Sequence, residues 1–146
     1  MMMKTIYFAG TFAGFDLVDL AIKRKVTSDG LILRGFKVID PLREKPLDKL
    51  GKGSDYDKLY KELTPNEIVH RDLWDIDRSD IVLMLMTKPS IGCSCELMYA
   101  HLKNKCIVVV SEVPEVLEHP WVKSLSTKVI DSSKEDYLDY IGHFLI

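Results

Sequence analysis

Apolar and polar residues follow one another along this chain in blocks. Thr5-Ile6-Tyr7-Phe8-Ala9 is a short apolar run closed by Gly10, and Phe36-Lys37-Val38-Ile39 is a second, running into Asp40-Pro41. Ile81 to Met86 is unbroken, Cys106 to Val110 is a fourth run, and Lys128-Val129-Ile130 a short last one. Runs of this kind read as strands buried on both faces, as in a parallel sheet. Between them apolar residues recur at helical spacing. Phe15 to Val26 carries Leu17, Leu20, Ala21 and Arg24 on one face; Ser28-Asp29-Gly30 ends this helix, or Leu31 to Leu33 prolong it to Gly35. Thr64-Pro65-Asn66-Glu67 is a helix start in which Thr caps, Pro takes the first position and Glu completes a capping box. This helix is expected to run to about Arg78, with Ile68, Val69, Leu73 and Ile76 inward. Glu96, Leu97, Tyr99, Ala100 and Leu102 mark the next helix, after turn residues Pro89, Ser90 and Gly92. Glu112 to Leu125 reads as a connector with a helical turn around Trp121, and Asp131, Ser132 and Ser133 as caps of a final helix, Lys134 to Phe144.

Strands alternating with helices predict an α/β fold: a doubly wound parallel sheet of about five strands flanked by helices. Leu47 to Leu63 is the least regular stretch; Gly51, Lys52 and Gly53 suggest a loop over one edge of the sheet, a candidate lid, with a short helix from Tyr56. No internal repeat or linker interrupts the chain, so residues 1–146 are expected to form a single domain.

Charge and composition narrow the function. Lys and Arg total 20 against 22 acids, a net charge of -2, and no basic stripe points to a nucleic-acid polymer. No apolar run approaches the roughly 20 residues that span a bilayer, and Met1 to Lys4 leads directly into a strand rather than a signal peptide. Cys93, Cys95 and Cys106 lack zinc spacing and read as reduced thiols, Cys93 and Cys95 as small buried ones. The four histidines form no metal-ligand pattern. A cytoplasmic protein without metal or cofactor is expected.

In a parallel sheet, ligands bind beyond the carboxyl ends of the strands. Three segments meet there: Tyr7 to Gly14, Asp72 on the capped helix, and Ser90 to Glu96. Asp72 shares a helical face with Ile68 and Ile76, so it is either a solvated boundary carboxylate or a proton donor aimed into a pocket. Asp75, Asp77 and Asp80 read as surface, cap or turn acids. Glu96 is placed near a helix start, where the dipole favours the anion, after a small-residue run, Gly92 to Cys95, that lets a ligand approach. It is either a dipole-stabilised surface glutamate or a nucleophile. Ser90 and Ser94 are caps or donors to a phosphate or sugar hydroxyl. Gly10-Thr11-Phe12-Ala13-Gly14 lacks the Gly-Lys-Ser/Thr ending of a P-loop, and no G-x-S-x-G elbow is present.

Five pieces, in order, resemble the nucleoside 2-deoxyribosyltransferase family: Lys4 to Gly10, Val38 to Arg43, Arg71-Asp72-Leu73, Ser79 to Leu83, and Ser90 to Ala100. The resemblance implies a flavodoxin-like sheet, a homodimer or larger homo-oligomer, and cleavage of the N-glycosidic bond of 2'-deoxynucleosides. It implies that Glu96 attacks the anomeric carbon, that Tyr7 orients it and that Asp72 assists proton transfer at the base. Gly10, Thr11, Phe12, Pro41, Arg43, Ser90, Gly92 and Ser94 would line the substrate, and His119 to Ser126 is a candidate for a segment lent to a neighbouring subunit. The transferases commonly carry aspartate at the place of Ser90. Serine there resembles the related 2'-deoxynucleoside 5'-monophosphate N-glycosidases, although Thr11 to Gly14 holds no basic residue. Three readings follow: a transferase, a nucleotide hydrolase with the same nucleophile, and a non-catalytic nucleotide-binding module.

Overall fold

A five-stranded sheet, parallel throughout, forms the centre of the computed structural model, which describes residues 2–10, 17–42 and 64–146. In chain order the described elements are β1 (Thr5–Gly10), α1 (Leu17–Leu33), β2 (Lys37–Ile39), α2 (Pro65–Asp77), β3 (Ile81–Leu85), α3 (Ile91–Leu102), β4 (Cys106–Ser111), α4 (Pro114–Leu117), α5 (Pro120–Leu125), β5 (Lys128–Asp131) and α6 (Tyr137–Phe144). The strand order β2-β1-β3-β4-β5 reverses direction between β1 and β3, which makes a crevice beyond their carboxyl ends.

Both faces of the sheet are covered, as the unbroken apolar strands require. Tyr7, Ala9, Val82, Met84, Ile107 and Val109 face one way and pack with Ile76 of α2 and Cys93, Leu97 and Ala100 of α3. Ile6, Phe8, Ile81, Leu83, Val108 and Val110 face the other and pack with Leu31 of α1 and Ile141 of α6. The strand period of two thus sends Tyr7 and Phe8 to opposite sides.

Local chemistry sets the helix ends. Thr64 caps α2, its Oγ1 accepting from the Glu67 N–H at 3.2 Å, and Pro65 opens the helix. Helix α1 takes the longer of its two expected courses. Gly30 lies inside it, where a Cβ would stand 2.9 Å from Leu138 Cδ1 of α6, so the glycine admits close helix packing. The turn into β2 comes at Gly35, whose φ of 96° is the left-handed conformation that ends helices.

Several expectations need correction. Helix α3 begins at Ile91, so Gly92, expected as a turn residue, is helical. The reason is the Ser90 cap, whose Oγ accepts from the Cys93 N–H; Ser94 donates back to the Ser90 carbonyl at 2.7 Å within the helix. The final helix starts at Tyr137 and is capped by Asp136, which accepts from the Leu138 and Asp139 N–H groups; Asp131 is engaged instead with Ser133. The connector after β4 holds two short helices, each opened by a proline. Val69 is exposed, and Asp75, expected at the surface, is fully buried: it accepts from Arg78 at 2.9 Å, while Ser79 Oγ donates to its carbonyl. Cys95 is exposed rather than buried. The candidate lid, Leu47 to Leu63, lies outside the described residues. Among those described, no helix is long and apolar enough to cross a membrane.

The rotation of α2 is directly testable. Ile76→Ala empties a core position and is expected to cost about 2–5 kcal/mol, whereas Val69→Ala should stay within about 0.5 kcal/mol of wild type. Urea midpoints of the two variants check this, and equal losses would contradict the helix orientation.

Candidate active site

Three acidic side chains from three elements meet on the α2–α3 face of the sheet. Tyr7 is the third residue of β1, paired in register with Ile39 on one side and Val82 on the other, and is only 1% exposed. Glu96 is the sixth residue of α3. Asp72 lies mid-way along α2, half-buried. The two helices are tied at their far ends: the Tyr99 hydroxyl donates to Asp77 at 2.7 Å, and Lys105 Nζ donates to the Asp77 carbonyl at 2.9 Å. Tyr99 is one turn beyond Glu96 and Asp77 is just over one turn beyond Asp72, so these bonds fix α3 against α2 about one turn past the two carboxylates.

The Tyr7 hydroxyl donates to the Glu96 carboxylate. The other carboxylate oxygen, Oε2, is buried and has no hydrogen-bond partner among the described residues. Unpartnered buried polar atoms are uncommon and call for an explanation. Burial, and next the negative charge of Asp72, push the Glu96 carboxyl up to about 7, against the opposing pull of the Tyr7 hydrogen bond and of Arg24. Burial, followed by the charges of Glu96 and Asp72, raises Tyr7 well above the ordinary phenol range, so it stays a hydrogen-bond donor. The dipole expectation for Glu96 is therefore reversed. The residue lies in the second turn of α3, beyond the reach of the helix end, and desolvation governs it.

Of the other expected site residues, Ser90 is the N-cap of α3, its Oγ accepting from the Cys93 N–H at 3.3 Å. The Ser94 hydroxyl is turned back on the Ser90 carbonyl. Gly92 lies beside the carboxylate: a Cβ there would stand 4.0 Å from both Glu96 Oε1 and Ser90 Oγ. Gly10 ends β1 and helps line a small crevice with Phe8, Arg24, Leu85 and Thr87. Pro41 is buried in the turn after β2. Thr11, Phe12 and Arg43 lie outside the described residues. An apolar cavity of about 380 Å³ opens on the α4–α5 side of α3, walled by Met86, Leu97, Met98, Val116, Trp121 and Val122; Tyr7, Asp72 and Glu96 are not in its lining. No group of three His, Cys, Asp or Glu able to hold a metal occurs among the described residues.

One pair next to the site was not singled out in the sequence. Arg24 of α1, 4% exposed, forms an ion pair with Asp40, just beyond β2, at 2.7 Å. The signal was present: Leu20, Arg24, Thr27 and Leu31 form one buried stripe on α1, and a charge on such a stripe needs a partner.

No model of a known protein family matches the sequence, and no curated protein does. Solved structures do. A 2-deoxyribosyltransferase from the psychrotolerant bacterium Bacillus psychrosaccharolyticus superposes with a TM-score of 0.65 over 96% of this chain and 91% of its own, at 16% identity. A conserved protein from Enterococcus faecalis superposes with a TM-score of 0.66 over 96% of this chain and 98% of its own, at 19% identity. The chain therefore has a flavodoxin-like α/β fold, the same as that of the Bacillus enzyme along nearly its whole length.

Proposed function

We propose that this protein cleaves the N-glycosidic bond of 2'-deoxynucleosides and passes the sugar to a second base. The observation that carries the reading is the Glu96 carboxylate, held by Tyr7 through one oxygen, with the other buried and unpartnered among the described residues, and with the charge of Asp72 acting on the group. The fold likeness to the Bacillus 2-deoxyribosyltransferase supports the substrate class. Breaking the bond between C1' and the base nitrogen builds positive charge on the sugar. A carboxylate oxygen below C1' stabilises that charge and then bonds to it, as in retaining glycosidases. The base leaves with the bonding electron pair and takes a proton, delivered by Asp72 or a water. A second base then attacks C1', releases Glu96 and gives up a proton in turn. A homodimer or larger assembly belongs to the same reading, with His119 to Ser126 facing a neighbour's site; Trp121 in that segment is largely exposed.

The second reading, hydrolysis of deoxynucleoside 5'-monophosphates, is favoured by Ser90. Its hydroxyl accepts the cap bond and keeps its own O–H to donate, at a helix N-terminus suited to phosphate. Incubation with a deoxynucleoside or its 5'-monophosphate, with and without a second free base, separates the readings. Base exchange supports transfer, release alone supports hydrolysis, and neither on any substrate supports a binding module instead.

Glu96→Gln is expected to abolish turnover in a folded protein. Because the nucleophile must be ionised, kcat/KM of wild type should rise with pH through about 7. The same raised carboxyl destabilises the fold: relative to its ordinary value near 4.5, the folded state favours the protonated form, so the penalty is absent below about 4.5, grows between there and 7 and is complete above. Glu96→Gln should therefore gain roughly 1–3 kcal/mol at pH 8 and nothing at pH 4, as read by thermal melts at both pH values. Near-wild-type activity would remove Glu96 as nucleophile.

Asp72→Asn should slow cleavage most for bases that leave poorly, by about 10²–10⁴-fold. A uniform loss across leaving groups would assign Asp72 to substrate positioning. Ser90→Ala should weaken kcat/KM for 5'-monophosphates by about 10-fold or more and spare nucleosides, if the hydroxyl binds phosphate. An equal loss on both substrates, with about 1 kcal/mol of lost stability, would leave Ser90 as a cap alone.

A further inference from the structure

Arg24 reaches the carboxyl end of β1 from the side of the sheet opposite Glu96. Strand β2 ends at Ile39, opposite Tyr7, so the Phe8 carbonyl lies beyond the last pair of that ladder. Arg24 Nη2 donates to it at 2.7 Å. The same guanidinium grips Asp40, with Nε at 3.0 Å from both carboxylate oxygens and Nη2 at 2.7 Å from Oδ1, and its carbon stands 4.1 Å above the Phe8 ring. Asp40 Oδ1 also accepts from the Leu42 N–H at 2.7 Å. One side chain thus joins α1, the end of β1 and the turn after β2. Removing a guanidinium and a carboxylate from water is a poor route to stability, since apolar residues of similar volume often do as well. The rigid fork of an arginine does fix orientation. What it fixes here is the Phe8–Ala9 peptide, one residue on from Tyr7.

We propose that Arg24 is a positioning residue for the active site: by holding the Phe8 carbonyl and Asp40 together, it locks the end of β1 so that the Tyr7 hydroxyl stays against Glu96. This rests on the reading of Glu96 as the nucleophile. Three further groups act on the Glu96–Tyr7 pair: Asp72 of α2 on both members, Asp75 of α2 on Tyr7, and Arg24 of α1 on Glu96. Loosening the Tyr7 bond removes an influence that favours the Glu96 anion, so Glu96 would titrate at higher pH.

Arg24→Lys keeps the charge and loses the fork. With a deoxynucleoside as substrate, kcat is expected to fall by about 10²-fold, the effect of a small misplacement, with KM little changed and the acid limb of kcat/KM moved to higher pH. In parallel, the carboxyl of Glu96 is titrated by NMR in protein carrying ¹³C-labelled glutamate, the signal being assigned by its loss in Glu96→Gln; its midpoint should move up in Arg24→Lys. An unmoved midpoint and unchanged kcat, with only a lowered melting temperature, would overturn the proposal. If wild type turns over no nucleoside or nucleotide, the functional reading fails, while the Glu96 titration still decides the role of Arg24. Should Arg24→Lys not fold, Asp40→Asn opens the fork from the other side and gives the same readouts.

Discussion

A carboxylate buried against a tyrosine hydroxyl, with a second carboxylate nearby, is the constraint around which this structure is arranged. Left to itself the group of Tyr7, Asp72 and Glu96 would separate, because burial and neighbouring negative charge disfavour the ionised forms of both Tyr7 and Glu96. It is held by elements that are well packed for other reasons. β1 is flanked by strands on both sides, Ile76 seats α2 on the sheet, and Leu97 and Ala100 seat α3. The apolar core supplies the favourable free energy of burial, and the site draws on it at a position where one carboxylate oxygen has no partner among the described residues. Strain kept at one point and offset by packing elsewhere is a common arrangement in active sites.

The fold was legible in the sequence wherever one signal dominated. Ile81 to Met86 and Cys106 to Val110 could be little else but buried strands, and Thr64-Pro65 announces a helix before any periodicity is counted. The same reading slipped where two signals compete. Gly92 looks like a turn residue by composition, yet the Ser90 cap carries the helix back over it. Small polar residues serve caps and loops alike, and only the hydrogen-bond geometry separates the two. Asp75 looks like a surface acid until its partners, Arg78 and Ser79, are seen to fold back on it.

The site was legible in part, for a related reason. Glu96, Tyr7 and Asp72 were each ambiguous alone and were named through the resemblance; the structure brings the three together. The protonation of Glu96 was misjudged, since sequence shows nearness to a helix start but not how little water reaches the carboxyl. The Arg24–Asp40 pair was missed because its partners are 16 residues apart and belong to different elements. A charged residue on the buried stripe of α1 was visible; which element would answer it was not.

The place of Tyr7 within β1 has a further consequence. Side chains in a strand alternate between the two faces, and Tyr7 and Phe8 are neighbours that look in opposite directions. Inserting or deleting a single residue in β1 ahead of Tyr7, with the pairing to β3 preserved, would turn the phenol towards α1 and α6 and bring an apolar side chain under Glu96. The composition, the hydropathy profile and the predicted strand would all look unchanged. Which face the phenol takes is thus written in the parity of a six-residue strand.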